Sequence, residues 1–439
     1  MKRHTWVPAV GTLLAALVLA GCGAGGRDEG DEPGEEVDTV GVTDTSVKIG
    51  AHFPLTGVAA PGYSEIPTGA QAYFDYVNAA GGINGRTIEY VVKDDGYDPS
   101  KTGAVTNELV LDEEIFAMVG GLGTPTHRTV VDFLNEEKVP DLFVSSGSLQ
   151  WGDDVEAKPY TFGWQTDYES EGKIIGQYVA ENLPDAKVGL FLQDDDFGTD
   201  GEKGLRQFLD DQIVSVQRYT SGNTEVAPQV TALQADGADV VIGFNTPSYT
   251  ALTQLTALGL GYQPQWVYSN VGSDPTLVGG LLAQFSEGAV EGGSSALDGV
   301  MTTEYIAGVD AADDPWVQLW QKVWDEHGAD GELTNYRIYG MSQAYAFVQA
   351  LAAAGEDLTR DGLVEAVEGL GDAEGPQLAP FRYGADSHLG ISGMRVVALR
   401  GGVGEPKTPV LVTDIGDAPI EEDSSAQAED APPESGVPE

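Results

Sequence analysis

The stretch Val-Lys-Ile-Gly-Ala-His-Phe-Pro-Leu-Thr-Gly at residues 47–57 sets a pattern that the rest of the chain repeats. Residues 47–53 are rich in apolar and β-branched side chains, which predicts a strand, and a small loop follows. A helical pattern then runs from about residue 68 to 80 and stops at Gly81-Gly82. A strand, a loop and a helix in this order are the first half of a βαβ unit.

The same alternation continues to about residue 165. Asp98 and Pro99 predict a helix cap with proline at the first helical position. The other predicted elements of this part are strands at 87–93, 115–119 and 142–144 and helices at 98–112 and 125–137. Repeated βα alternation implies right-handed crossovers and a mostly parallel sheet that is covered on both faces.

The pattern restarts after about residue 166 and ends in a helix-rich block. Predicted strands lie at 188–192, 214–219, 240–244 and 265–268, with helices at 169–182, 204–211, 226–235 and up to 258. Residues 315–370 are almost wholly helical, and residues 391–399 and 409–415 return to strand. We therefore predict an α/β fold with two Rossmann-like lobes, between which the chain crosses more than once.

The first residues have the organisation of an export signal. Lys2 and Arg3 precede an apolar run at 7–20 that is too short to span a membrane as a stable helix. The run ends in Leu-Ala-Gly-Cys at 19–22, and Cys22 is the only cysteine of the chain. A lone cysteine excludes internal disulfides and zinc–thiolate sites.

The four residues at 19–22 resemble the lipobox of bacterial lipoproteins, in which the cysteine is diacylated and becomes the new N-terminus. The resemblance implies a signal peptide at 1–21 and an extracytoplasmic protein that is anchored to the membrane through Cys22. An ordinary secretory signal with a chance cysteine is the alternative interpretation.

The chain has 70 acidic and 22 basic residues and a formal charge of −48. A surface of this sign repels nucleic acid and anionic headgroups, so the lipid is the only expected membrane contact and nucleic acid is not an expected partner. Residues 22–44 and 417–439 are acidic, rich in Gly and Pro, and poor in large apolar residues. We predict a flexible tether at 22–44 and a disordered tail at 417–439.

Motifs that carry catalytic chemistry do not occur in the sequence. No histidine pair has the spacing of a helical zinc site, and there is no H-E-x-x-H, G-x-S-x-G or P-loop. We expect His127 and His327 to be solvated helix residues, and Asp94-Asp95 and residues 194–196 to be solvated turns at strand ends. The sequence therefore predicts no catalytic residue, no metal, no cofactor and no enzymatic activity.

Small, hydroxyl-rich loops follow the predicted strands, where open α/β sheets bind ligands. Thr124 precedes a predicted helix that starts at Pro125, so its hydroxyl either contacts a ligand carboxylate or caps the helix. The loops are 54–57, which contains Leu55, 123–126 and 145–148 in the first lobe, and 196–198, 245–247 and 270–272 in the second. Candidate aromatic walls are Trp151, Trp164, Tyr168 and Phe197.

Several segments of the chain occur in an order and at spacings that are known from other proteins. They are 47–57, Asn-Ala-Ala-Gly-Gly-Ile-Asn-Gly at 78–85, 95–99, Val139-Pro140, 168–172, 195–198 and 235–239. Together they resemble the branched-chain amino-acid binding family of type I periplasmic binding proteins, which feed ABC importers, from about residue 45 to 400. The resemblance implies two lobes that are joined by three crossings and close on a ligand by hinge motion. The implied lobes are 45–165 with 300–375, and 166–299 with 376–416.

The resemblance also implies ligand-binding residues. Thr124 matches the hydroxyl that holds the α-carboxylate in amino-acid binders, and the loop 146–148 matches the serine-rich loop that follows. Phe197 matches an aromatic residue of the second lobe, and Thr246 matches a polar residue after the next strand. The complete predicted set is Leu55, Thr124, Ser146, Gly147, Ser148, Tyr168, Phe197, Thr246 and Asn270.

Asn270 departs from the pattern of amino-acid binders, which place an acidic residue here to pair with the α-ammonium group. A neutral amide cannot supply the charge-assisted bond, which is about twice as strong as a neutral one. Asp274, in the same loop, is the alternative partner. The departure argues against an α-amino acid as the ligand and leaves room for a carboxylic acid, an aromatic acid or an amide.

The resemblance therefore implies an extracytoplasmic substrate-binding lipoprotein of an ABC importer. We expect a monomer that captures a small organic solute and docks on permease subunits. A ligand sensor that uses the same clamshell to signal is the alternative. Neighbouring permease and ATPase genes would favour transport, and a neighbouring kinase or regulator would favour sensing.

Overall fold

The computed structural model describes residues 38–425 and 430–438, which contain two β-sheets flanked by helices. The predicted signal peptide and Cys22 lie outside the described residues. Within the described part of the chain, no helix is both long and apolar enough to cross a membrane.

The first sheet has five parallel strands in the order β2-β1-β3-β4-β5. The strands are β1 (Ser46–Phe53), β2 (Thr87–Asp94), β3 (Ala117–Val119), β4 (Asp141–Val144) and β5 (Thr161–Gly163). All residues of β3, β4 and β5 are buried, as in parallel strands with helices on both faces. The intervening helices are α1 (Ala60–Tyr63), α2 (Ile66–Ala79), α3 (Pro99–Asn107), α4 (Thr124–His127) and α5 (Val131–Glu136).

The predicted cap of α3 is present, but the helix changes form before its predicted end. The Asp98 carboxylate accepts a hydrogen bond from the backbone N–H of Ser100 at 2.9 Å. A π-helical turn replaces the α-helix over Glu108–Asp112.

The second sheet has the order β14-β13-β11-β10-β9-β8-β6-β7, with β12 paired to β11. Its strands are β6 (Val188–Gln193), β7 (Ile213–Tyr219), β8 (Val240–Phe244), β9 (Gln265–Tyr268), β10 (Met301–Glu304), β11 (Gly393–Arg400), β12 (Val403–Pro406), β13 (Leu411–Val412) and β14 (Glu421–Glu422). β6 to β10 run parallel, whereas β11 to β14 pair antiparallel. The helices are α6 (Tyr168–Asn182), α7 (Asp196–Leu209), α8 (Ala227–Ala235), α9 (Pro247–Leu260) and α10 (Pro275–Phe285).

The helix-rich block returns the chain to the first sheet. Its helices are α11 (Pro315–His327), α12 (Asn335–Ala354) and α13 (Arg360–Glu368). α12 crosses α2 at close range through two glycines: a Cβ on Gly340 would lie 2.0 Å from the Ile66 carbonyl oxygen, and one on Gly69 would lie 2.1 Å from that of Arg337. The absence of both side chains therefore fixes how closely these helices pack.

The chain passes between the sheets three times, after β5, after β10 and after α13. The predicted α/β fold with two sheet-based lobes is confirmed.

Two lobe boundaries differ from those that the sequence predicts. β10 pairs with β9 and β11 in the second sheet, although the sequence predicts residues from 300 onward in the first lobe. Residues 377–391 pack on the first sheet, where the Tyr383 hydroxyl donates to the Gly163 carbonyl at 2.6 Å, whereas the sequence predicts them in the second lobe.

The described parts of the two acidic ends are packed against the body, so the prediction of a disordered tail is wrong for these residues. Asp38 pairs with the Arg360 guanidinium at 3.0 Å. In the tail, β14 pairs with β13, and the Gly436 carbonyl accepts from the Tyr73 hydroxyl at 2.9 Å. Backbone carbonyls and a few apolar side chains, such as Val437, supply these contacts, which an acidic composition does not reveal.

Candidate ligand-binding site

A cavity of about 190 Å³ lies between the carboxyl ends of strands from both sheets. The segments after β3, β4, β6, β8 and β9 all contribute to its wall, which is the expected ligand position in open α/β sheets. Of the predicted residues, five line the cavity: Thr124, Tyr168, Phe197, Thr246 and Asn270.

Thr124 is the first residue of α4 and is not its cap. Gly123 occupies the cap position with φ of 105°, and a Cβ there would lie 2.6 Å from the Tyr97 ring. The buried Thr124 hydroxyl instead lies 2.8 Å from the Ser146 hydroxyl. The alternative role as a helix cap is therefore wrong. The two hydroxyl groups carry two protons, and the hydrogen bond between them uses only one. The other proton can be donated to a ligand oxygen.

The loop 146–148 supports the cavity from behind and does not line it. The Ser146 hydroxyl accepts from the Ser148 N–H at 3.3 Å, and Ser148 caps a short 3₁₀-helix over Leu149–Trp151. Gly147 lies against Tyr168, whose ring a Cβ on Gly147 would approach to 2.8 Å. Ser145, the preceding residue, lines the cavity instead.

Leu55 also lies outside the cavity wall. Its backbone N–H donates to the Asp94 carboxylate at 2.9 Å, and its side chain packs against the core under the first sheet. Asp94 thus closes the loop after β1 onto the end of β2.

Tyr168 of α6 and Phe197 of α7 form an aromatic wall on the second-lobe side of the cavity. Their ring centroids are 4.4 Å apart. Burial raises the pKa of the Tyr168 phenol to about 12, so the hydroxyl stays protonated beside Ser146 and Thr124. Asp195 caps α7 by accepting from the Phe197 N–H at 3.0 Å, and burial raises the pKa of this carboxyl to about 6.

Thr246 offers a hydroxyl without a partner in the described chain. It stands at the cap position of α9, but its side chain makes no cap hydrogen bond. Its backbone N–H donates to the Tyr219 hydroxyl at 3.2 Å, and the residue is buried at the cavity wall. The hydroxyl is therefore available to a ligand.

Glu171, which the sequence did not single out, fixes the orientation of Asn270. One carboxylate oxygen accepts from the Asn270 N–H at 2.9 Å and from the Asn270 side-chain amide at 3.0 Å. Burial raises the pKa of Glu171, while its hydrogen bonds, including those from Ser269 and Thr303, oppose the shift. With the amide nitrogen held by Glu171, the amide oxygen of Asn270 is the end left for a ligand.

Asp274 lines the same part of the cavity. One carboxylate oxygen caps α10 by accepting from the Leu277 N–H at 2.7 Å, and the other accepts from the Asn335 amide at 2.8 Å. No described Lys or Arg forms an ion pair with it, and burial raises its pKa. It is an acceptor whose charge no neighbouring cation offsets.

Further aromatic residues, which the sequence does not predict for the site, complete the wall. They are Tyr63, Tyr97, Tyr305, Tyr336 and Tyr339. Tyr63 and Tyr336 meet edge to face with centroids 5.9 Å apart. Two of these residues come from α12, whose return to the first sheet the sequence could not place. Within the described part of the chain, no Lys or Arg lines the cavity.

His127 and Asp95 are buried, so the prediction that they are solvated is wrong. His52 lies 2.9 Å from Asp95 through one ring nitrogen and 2.9 Å from His127 through the other. His127 continues the chain to Asp141 at 2.8 Å. All four side chains are fully buried behind the loops that carry Tyr97 and Thr124. Among the described residues, no group of three or more His, Cys, Asp or Glu is arranged to hold a metal ion.

Two sheets with a polar and aromatic cavity at their facing strand ends define a class of two-lobed α/β binding proteins. The chain belongs to the periplasmic binding protein family, whose model matches residues 46–403. This is a family of extracytoplasmic solute-binding proteins and not of enzymes.

Known proteins of this kind match over most of the chain. An amino acid binding protein of Pseudomonas aeruginosa is 26% identical over 314 residues, which are 70% of this chain and 78% of that protein. A fatty acid ABC transporter substrate-binding protein from Thermomonospora curvata superposes with a TM-score of 0.71 at 22% identity, covering 90% of this chain and 97% of that one. A branched chain amino acid ABC transporter protein from Thermus thermophilus with bound valine gives 0.70 at 19% identity, covering 87% and 97%.

Proposed function

We propose that this protein is the substrate-binding component of an ABC importer and captures a small organic solute, in the first place an amino acid with an apolar side chain. The observation that carries the proposal is the cavity itself, which is enclosed by strand ends of both sheets and walled by aromatic rings with a few polar groups. The valine and amino-acid ligands in the names of similar proteins agree with this ligand class.

The polar groups at the wall suit the two ends of such a ligand. The hydroxyls of Thr124 and Thr246 can donate to a carboxylate. The amide oxygen of Asn270 and the carboxylate of Asp274 can accept from an ammonium group. Asp274 thus supplies the negative charge that Asn270 lacks, and we assign to it the role that the sequence left open.

The aromatic rings suit an apolar side chain between these ends, because Tyr168 and Phe197 line the cavity from the second lobe and Tyr63 lines it from the first. We place the lobes at 45–165 with about 305–392, and at 166–304 with about 393–416. Closure would bring the two halves of the wall together. Anchoring through Cys22, a monomeric state and docking on permease subunits complete the proposal.

The test is a thermal-shift panel on the purified protein, followed by calorimetric titration. The panel contains leucine, isoleucine, valine, their amides, polar amino acids and aromatic carboxylates. A ligand at 100 times its Kd adds about 2.7 kcal/mol to the free energy of unfolding, which raises Tm by several degrees. Binding only of acids without an amino group would overturn the role of Asp274, and no shift with any member would overturn the ligand class.

Thr124→Ala provides the residue-level test of the same site. We expect a loss of affinity of about ten- to a hundredfold, because a hydrogen bond to a charged ligand group is worth roughly 1.5–3 kcal/mol and each 1.4 kcal/mol is tenfold. Thr129→Ala is the matched control, since the Thr129 hydroxyl bonds the Thr126 carbonyl at 2.7 Å outside the cavity wall. Equal affinity in both variants would remove Thr124 from the site.

A further inference from the structure

Gln165 lies on the first crossing between the sheets, after β5 and before α6. It is only 5% exposed, yet it lines the cavity. The neighbouring residues are fixed to the protein: the Thr166 hydroxyl donates to the Gly393 carbonyl at 2.8 Å, and Asp167 caps α6 and pairs with Arg382. The position of Gln165 is therefore set by its chain neighbours.

The side-chain amide of Gln165 is only half satisfied. Its oxygen accepts from the Tyr339 hydroxyl at 3.2 Å. Its nitrogen is buried and has no hydrogen-bond partner. A buried donor without a partner is unfavourable, and few persist in folded proteins unless a ligand or water meets them.

Gln343 shows what a purely structural glutamine looks like in the same region. Its amide nitrogen donates to the Phe143 carbonyl at 2.8 Å and to the Ser145 hydroxyl at 3.0 Å. Its amide oxygen lies 3.3 Å from the same hydroxyl, whose single proton it shares with the Gly120 carbonyl at 3.0 Å. Gln343 is thus bonded at both ends, whereas Gln165, which lines the cavity, has a donor without a partner.

We propose that Gln165 is a ligand-binding residue, whose side-chain amide donates a hydrogen bond to an oxygen atom of the solute. This inference rests on the proposed function and adds to it a requirement on the ligand. The solute must carry an acceptor oxygen, as a carboxylate or carbonyl group does, on the side of the cavity next to the crossing. Because Gln165 is on a segment that joins the lobes, the same hydrogen bond connects the ligand to the segment about which the lobes would close.

The test compares Gln165→Glu and Gln165→Met with wild type by calorimetric titration with leucine, isoleucine and valine. The Gln165→Glu variant keeps an acceptor for Tyr339 and replaces the donor by a negatively charged oxygen, so we expect at least a tenfold loss of affinity for these carboxylates. The Gln165→Met variant removes the donor without adding charge, and we expect a smaller loss in the same direction. Tm without ligand should fall in both variants, because Gln165→Met removes the acceptor of the Tyr339 hydroxyl and Gln165→Glu buries a charge, so affinities are compared at a temperature at which both variants are folded.

Gln321→Met on α11 is the matched control, because this exposed glutamine lies outside the cavity wall and donates to the Asp325 carboxylate at 2.7 Å, and we expect its affinity to equal that of wild type. Unchanged affinity in Gln165→Met and Gln165→Glu, with wild type binding, would overturn this assignment alone. Tighter binding by Gln165→Glu would also overturn it, since the amide would then serve as an acceptor. If wild type binds none of the three amino acids, the proposed function fails and this assignment fails with it.

Discussion

His52 and His127 connect two buried carboxylates, and the geometry of the contacts fixes the number of protons that they share. Asp95, His52, His127 and Asp141 make successive contacts of 2.9, 2.9 and 2.8 Å. Each contact needs one proton, so the chain holds one proton more than two neutral imidazoles bring. Burial lowers the pKa of His52. Each group therefore depends on its neighbour for a hydrogen-bond partner.

Removing one member should expose this dependence. We expect His52→Leu to lower the free energy of unfolding by about 3 kcal/mol, because Asp95 and His127 then lose a partner in a fully buried place. Urea unfolding measures the change. His327→Leu on α11, where the ring is only half-buried, is the control and should change stability by less than about 1 kcal/mol. Similar losses of unfolding free energy in both variants would show that the contacts from Asp95 to Asp141 do not contribute to stability.

The site residues that the sequence could place are those that directly follow strands. Thr124, Phe197 and Thr246 come after β3, β6 and β8, and parallel strands deliver such residues to one edge. Glu171 and Gln165 could not be placed in the same way. Glu171 acts on Asn270 across 99 residues of sequence, and the free donor of Gln165 is visible only once its neighbours are known.

At the scale of elements, local patterns located most strands and helices to within a few residues. β1 was predicted at 47–53 and spans Ser46–Phe53, and α2 was predicted at 68–80 and spans Ile66–Ala79. The patterns could not say which sheet β10 joins or that the tail would form β14, because both depend on pairing between distant segments. Partner choice is decided by tertiary packing and not by local propensity.

The crossing of α2 and α12 is an element-level feature that can be tested by adding one methyl group. We expect Gly340→Ala to destabilise the protein by about 2 kcal/mol, because the new Cβ would lie 2.0 Å from the Ile66 carbonyl and the helices must move apart. Gly103→Ala in α3 is the control: nothing lies within 4 Å of its Cβ position, so the change should stabilise by about 0.5 kcal/mol. Thermal unfolding gives both values, and a neutral Gly340→Ala would mean that the crossing tolerates expansion.

At the scale of the whole molecule, polar contacts hold the two sheet-based halves together around the cavity. Arg128 of the first half pairs with Asp196 of the second at 3.1 Å. The Ser248 hydroxyl donates to the Val58 carbonyl at 3.0 Å. Asp200 of α7 accepts from the Leu149 N–H, also at 3.1 Å. Protonation of such contact groups should change how firmly the halves associate.

We expect Asp200 to make this association dependent on pH. Burial between the halves, with Asp196, Asp167 and Glu169 nearby, raises its pKa to about 7, against 3.8 as the ordinary value. Between these two values the folded state holds a proton that the unfolded state does not, so the contribution of Asp200 to stability falls as the pH rises from about 4 to 7.

The Asp200→Asn variant tests this dependence, because Asn keeps an acceptor for the Leu149 N–H and never ionises. The stability of Asp200→Asn relative to wild type should therefore be higher at pH 8 than at pH 5, by about 1 kcal/mol, since the carboxylate keeps part of its hydration. Urea unfolding at both pH values measures the difference, with the exposed Asp194→Asn as the control for loss of one charge. A pH-independent difference for Asp200→Asn would show that this carboxylate is ionised in the folded protein throughout the range, and that pH does not act on the contact between the halves through it.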